Sequence, residues 1–160
     1  MEGPFECVRG NAWLGHGYYF WDTNMEWALA WGRNSYNRRG RNFVICACSL
    51  NLSSNCFDLF GNVVDQMSFT NIVKSIRESG LLKGTGDLSV PNVIQFMKQN
   101  GLFTYNSIRS SDLPKNTLTV PYGSGSEHLA VNPRVQICVI NLETVLLQPF
   151  SAVYPEKYLT

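Results

Sequence analysis

The sequence predicts an α+β fold, and three observations carry that reading. Strand-type runs stand at residues 18–21, 43–50 and 134–140, with a shorter one at 117–121. Between them lie three segments whose apolar residues recur at helical spacing. A chain of 160 residues, 44% hydrophobic and 16% charged, can bury one real core, and that balance does not suit disorder. No repeat, low-complexity tract or linker divides it, so residues 1–160 are expected to form a single domain.

The first run opens on Trp13-Leu14-Gly15-His16-Gly17 and continues as Tyr18-Tyr19-Phe20-Trp21. Gly15 and Gly17 permit positive φ and a close approach to the main chain. The four rings alternate sides if extended, so two face each way. Such a strand offers flat faces to a heteroaromatic ring, and it equally makes an aromatic core strand entered by a turn. The first helix is expected to start at Thr23, with Glu26 completing a capping box, and to stop at Gly32 and Arg33. Met25, Ala28 and Leu29 share one of its faces, and Trp27 and Trp31 sit at stacking distance one turn apart.

Residues 43–50 form a continuous apolar run, expected as a strand buried on both faces. Residues 51–55 read as a turn and 56–59 as a short extended piece. A second helix keeps Phe69, Ile72, Val73 and Ile76 in phase, with Ser68 or Thr70 as cap and Gly80 as stop. The glycine-rich stretch 80–86 lacks the Gly-Lys-Ser/Thr ending of a phosphate-binding P-loop. A third helix starts near Ser89, turns Val90, Val93, Ile94 and Met97 inward, and ends at Gly101. Residues 117–121 are expected as an edge strand stopped by Pro121. A polar loop, 122–128, leads to the strand 134–140, which presents Val135, Ile137 and Val139 on one face and Gln136 and Cys138 on the other.

Five cysteines cannot all pair within the chain, and their apolar surroundings suggest thiols rather than a disulfide framework. No Cys-x-x-Cys or clustered histidine supports a metal site. Net charge near +1 argues against a broad phosphate-neutralising surface. Arg33, Arg38, Arg39 and Arg41 form a local exception, either a solvated loop or a phosphate or RNA contact. No signal peptide or membrane-length apolar stretch stands in the sequence, so a cytoplasmic site of action is expected, reached directly or by delivery into a target cell, and no membrane partner.

The Gly15-His16-Gly17-Tyr18-Tyr19-Phe20 segment resembles the Gly-x-Gly-x-Tyr-Phe strand of ADP-ribosyltransferases of the diphtheria-toxin and poly(ADP-ribose) polymerase type. The longer string from Asn11 to Trp21, with Ala28 and Trp31, is similar to a group of uncharacterised bacterial proteins that end on a strand like residues 135–139. The resemblance implies a split, mainly antiparallel β-sheet core with surrounding helices. It implies NAD as substrate, with Tyr19 stacking on nicotinamide and Gly15, Gly17, Phe20 and Trp31 around it. Trp31 would supply the opposite stacking face, from the helix that closes the pocket; a core tryptophan is the alternative.

By the same resemblance, Gln136 takes the place of the family's catalytic glutamate, which holds the ribose and stabilises an oxocarbenium-like charge. A glutamine can orient the ribose but supplies no full charge. The substitution points to slow transfer, to charge from another group such as Glu127 or Glu143, or to binding without turnover. The family's first strand, with its His or Arg, has no counterpart before Tyr19; Arg9 is too near in sequence, and His16, inside the Gly-x-Gly, does not inherit the role. His128 lies where the family places its target-recognition loop; a solvated loop histidine is the alternative reading. Three functions follow as expectations: transfer of one ADP-ribose unit to a protein or nucleic acid, as in toxins and effectors; an inactive module that binds ADP-ribose, nucleotide or a protein partner; or a structural domain sharing only the aromatic strand.

Overall fold

A computed structural model describes residues 4–53, 55–80, 88–112, 118–121, 123–124 and 128–156. The elements run β1 (Tyr18–Trp21), α1 (Met25–Ser35), β2 (Ile45–Ala47), β3 (Cys56–Asp58), α2 (Val63–Ser79), α3 (Val90–Gln99), β4 (Ser107–Asp112), β5 (Thr119–Pro121), β6 (His128–Ala130), β7 (Arg134–Val139), α4 (Leu142–Val145) and β8 (Ser151–Tyr154). The fold is α+β. Its main sheet has the order β1-β7-β4-β3, and β2-β8 and β5-β6 form two separate antiparallel ribbons. Within the main sheet, β7 pairs antiparallel with both β1 and β4, whereas β3 joins β4 in parallel.

Register sorts the sheet's side chains into two layers. Tyr19 pairs with Cys138, and Cys138 with Ile108, so these residues share a face. That face meets α2 and α3 in a core of Leu14, Phe57, Ile76, Val93, Ile94, Met97, Ile108 and Cys138. The opposite face carries Ile137 and Val139, covered by Val145 of α4 and flanked by Tyr18, Phe20, Leu50 and Leu142. Burial of apolar surface on both sides is what holds so short a sheet together.

The third helix follows the sequence closely: Ser89 precedes α3, and Val93, Ile94 and Met97 are buried. α2 ends as expected, on Gly80 in the left-handed region (φ 64°) with its N–H on the Ile76 carbonyl. Its start lies earlier than Ser68 or Thr70, at Asn62, whose side chain accepts the Val64 N–H.

α1 differs at both ends. Asn24, not Thr23, is the N-cap, accepting the Trp27 N–H at 3.2 Å, while Thr23 takes φ 54° in the preceding turn. The helix also runs through Gly32 to Ser35. A Cβ on Gly32 would stand 2.3 Å from the Phe43 ring, so this glycine admits a ring against the helix instead of ending it. Trp27 and Trp31 diverge: the Arg134 guanidinium lies 5.6 Å from the Trp27 ring centroid, and Trp31 meets Tyr36 edge-on at 5.4 Å.

The apolar run 43–50 is not a two-sided core strand. Only Ile45–Ala47 extends, paired with β8, and Val44 and Ala47 are exposed. The two central positions instead belong to β7 and to β4, whose one large apolar residue is Ile108. β5 is an exposed strand as expected, and β7 keeps the predicted alternation. The glycine-rich stretch falls largely at 81–87 and Glu127 at 125–127, both outside the described residues.

Candidate functional site

The glycine turn and β1 meet β7 along one seam, and that seam brings Tyr19 and Gln136 together. Trp21 pairs with Gln136 and Tyr19 with Cys138, so Tyr19, Trp21, Gln136 and Cys138 lie on a common face. Trp13, from the turn before β1, reaches the same face: its indole N–H donates to Gln136 Oε1 at 2.6 Å. An indole nitrogen only donates, so this bond orients the amide. The Gln136 oxygen is engaged, and its NH2 group is left to donate elsewhere. Trp13 is the site residue that the sequence did not single out. Its signal was its place in the glycine motif, but its partner stands on a strand near the other end of the chain.

Tyr19 is half-buried, its ring packed against the core shared with α3. Its hydroxyl accepts the Leu14 N–H at 3.0 Å and donates to the Gly15 carbonyl at 2.8 Å. Tyr19 thereby pins the glycine turn that precedes it. Burial, and then the neighbouring Cys138, push its pKa well above that of an ordinary tyrosine, so the phenol is neutral near pH 7. Burial likewise pushes the Cys138 thiol up to about 12, and its Sγ lies 3.8 Å from the carbonyls of Gly15 and His16. That thiol is a packed neutral group, not a nucleophile.

The two glycines do different work. Gly15 has φ 91° and an open neighbourhood, the nearest atom to a Cβ being Ile94 Cγ2 at 3.9 Å. Gly17 is buried, and a Cβ there would stand 2.6 Å from the Val139 carbonyl oxygen and 2.8 Å from Cys138 Sγ. The space at Gly17 is therefore filled by β7 itself. Cys7 exchanges two backbone bonds with Gly17, at 2.7 and 3.2 Å, which ties the N-terminal segment to the turn without forming a longer strand.

Two other expected residues stand elsewhere. Phe20 faces the opposite side of the sheet, against the cluster of Ile137, Val139 and Val145, and stacks with Phe150 at 6.2 Å. Trp31 lines a pocket of about 200 Å³ with Arg9, Ser35, Tyr36, Arg39 and Arg41. Glu143 belongs to α4, which covers the face away from Gln136, so it is no substitute for the glutamate.

On that far side, Arg109 of β4 bridges two carboxylates, Asp22 at 2.7 Å and Asp58 at 3.0 Å, with the Phe60 ring 5.0 Å away. Burial alone would lower its pKa; the hydrogen bond and charge of Asp22, then Asp58, more than offset this and hold it above its ordinary value. Asp58 also accepts the N–H groups of Phe60 and Gly61, and its own N–H donates to Asp65. With one guanidinium shared by two carboxylates, and Asp58 and Asp65 also accepting backbone N–H groups, this network ties the end of β1, β4 and β3 to one another.

No helix among the described residues is long and apolar enough to cross a membrane. Comparison with protein-family models, with curated proteins and with solved structures finds no match to this chain.

Proposed function

We propose that this chain is an ADP-ribosyltransferase-like domain that binds NAD or its ADP-ribose portion on the face shared by Tyr19 and Gln136. The single observation that carries the reading is the meeting of these two residues, on adjacent strands formed by opposite ends of the chain, with Trp13 orienting Gln136. Tyr19 offers part of a ring face for the nicotinamide. The Gln136 NH2 donates to an oxygen of the neighbouring ribose, and Gly15 lets the turn lie close to the ligand.

A specific feature supports binding over rapid turnover. With its oxygen held by Trp13, Gln136 presents N–H donors to the ligand, and a donor dipole is the wrong sign for an oxocarbenium ion. The reaction that such a site performs when charge is supplied is transfer of one ADP-ribose unit to a macromolecular acceptor, with release of nicotinamide. That is the second reading, and it rests on the pairing of Tyr19 with the Gln136 position.

Calorimetry with NAD and ADP-ribose, beside an assay of nicotinamide release, tests both. Binding without release supports a binding module, and binding with acceptor-dependent release supports a transferase. Absence of binding by both ligands would leave the aromatic strand as core only.

A further inference from the structure

We infer that the pocket at the C-terminal end of α1 is a binding site for a phosphorylated nucleoside, separate from the Tyr19–Gln136 face. Three parts of the chain converge there: Arg9 from the N-terminal segment, Trp31 and Ser35 from α1, and Tyr36, Arg39 and Arg41 from the turn that follows. The pocket, of about 200 Å³, is lined by three arginines in a chain whose net charge is only +1. Residues 33–41 hold four arginines and no carboxylate. Among the described residues, the ion pairs are those of Arg109 and Arg134, and none joins a carboxylate to Arg9, Arg39 or Arg41. Arginines in one pocket lining that includes no acidic residue suit a phosphate, which guanidinium forks bind through paired N–H donors.

The aromatic wall defines the rest of the ligand. Trp31 is 46% exposed, a large ring surface to leave in water on an ordered helix. It is also held in place. Tyr36 meets it edge-on, Phe43 stacks on Tyr36 at 6.3 Å, and Tyr154 stacks on Phe43 at 5.4 Å. Gly32 seats Phe43 on the helix backbone, so this row of rings anchors the pocket wall to the β2–β8 ribbon. Backbone bonds from Arg39 and Arg41 to the Tyr36 carbonyl, at 2.9 and 3.1 Å, fix the arginine-bearing turn. A preset ring face beside arginine forks matches a base stacked next to its own phosphate. The Ser35 hydroxyl adds a donor and acceptor for the sugar or phosphate.

The same chemistry is offered by a free nucleotide and by an exposed nucleotide of a single strand, and the probes separate them. Binding of adenosine 5′-monophosphate, adenosine, inorganic phosphate and a short single-stranded oligoadenylate RNA is measured by calorimetry on the full chain. We expect adenosine 5′-monophosphate or the RNA to bind, each more tightly than adenosine or phosphate alone. Tight binding of the mononucleotide assigns a free-nucleotide site, and binding of the RNA alone assigns a single-strand site.

Arg39→Glu and Arg41→Glu should each weaken binding about tenfold or more, the loss expected for a charge-assisted bond. Both positions are exposed, so folding should be retained. Arg77→Glu, the same charge change on exposed α2 surface, should alter affinity less than about twofold, the residual effect of screened long-range charge. Trp31→Ala should erase the preference for nucleotide over phosphate. Gln136→Ala, which removes the amide of the proposed NAD face, should leave this binding unchanged, which separates the pocket from that face. Failure of both nucleotide probes to bind, or equal losses in Arg77→Glu and Arg39→Glu, overturns the assignment.

Discussion

The indole N–H of Trp13 donates to the side-chain oxygen of Gln136 at 2.6 Å, across the seam between the glycine turn and β7. This bond decides which end of the amide meets a ligand. It also makes the orientation of Gln136 a property of its neighbour rather than of its own chemistry alone. Trp13→Phe keeps an aromatic ring and removes the donor, together with part of the indole's packing against the core. We expect a stability loss of at least about 1 kcal/mol, the net value of one part-buried hydrogen bond. Free rotation of the amide should also weaken NAD affinity several-fold. Unchanged denaturation midpoint and affinity would show that Gln136 is not oriented by Trp13.

Gln136→Glu tests the missing charge directly. A glutamate retains an acceptor for the Trp13 indole, and Gln136 is half-buried, so the new carboxylate has both a donor and access to water. Flanking Cys138 and Ile140 alone would imply an unpaired carboxylate on a dry face, and the Trp13 contact changes that expectation. We expect the variant to fold and to release nicotinamide from NAD faster than the wild type, by about 10²-fold if a preorganised electrostatic partner is restored. Equal release by both proteins would mean that the Tyr19–Gln136 face does not carry the reaction even when charged.

Much of this seam was legible before the structure. Alternation along 134–140 placed Gln136 opposite Val135 and Ile137, and the aromatic run located β1. What the sequence concealed was one of the two central strands, β4, because Ser107–Asp112 has one large apolar residue and hides its charges in ion pairs: Arg109 with Asp22 and Asp58, and Asp112 with Arg134. Local hydropathy cannot reveal a charge whose partner lies on a distant strand. The run 43–50 misled in the opposite sense, since an apolar stretch reports burial somewhere but not a place in the main sheet. Trp31 lies on its expected helix but lines a pocket with arginines distant in sequence or beyond the helix, and the helix passes through Gly32, where Phe43 packs too closely for a side chain.

Gly17 and Gly15 should respond differently to the same substitution. Gly17→Ala puts a methyl within 2.6 Å of the Val139 carbonyl and 2.8 Å of Cys138 Sγ, and the β7 backbone must shift. The expected loss is about 2–4 kcal/mol, with overpacking and backbone strain adding. Gly15→Ala meets nothing closer than 3.9 Å and bears only the cost of positive φ, about 1–2 kcal/mol. Urea unfolding of both variants gives the ranking. A Gly15 variant less stable than the Gly17 variant would contradict the packing described for β7.

Removing the cation from the Asp22–Arg109–Asp58 network leaves two carboxylates near each other without a counterion. The three side chains are each about one-fifth to one-quarter exposed, so water offsets part of the penalty. Arg109→Met should therefore cost about 2 kcal/mol, below the 3–5 kcal/mol of a fully buried pair. Adding Asp22→Asn should recover part of the loss. Additive losses in the double variant would show that the two residues act independently.

Alkaline pH should weaken the fold, and Cys138 should account for part of the effect. Its folded pKa is raised by burial to about 12, whereas an unfolded cysteine titrates at about 8.5. Between these values the unfolded chain releases a proton that the folded chain keeps, so the unfolded state gains as pH rises. The contribution is fully present below about pH 8.5 and is lost up to about pH 12, at most about 1.4 kcal/mol per pH unit in that window. Tyr19 acts in the same direction above pH 10, its ordinary value. Cys138→Ala removes the thiol from a packed site, so the variant should start less stable at pH 7, yet its stability should fall less steeply from pH 9 to 11. The check is denaturant unfolding of both proteins across that range under reducing conditions. Parallel pH profiles would mean that the Cys138 thiol is not held protonated by the glycine turn and the core around it.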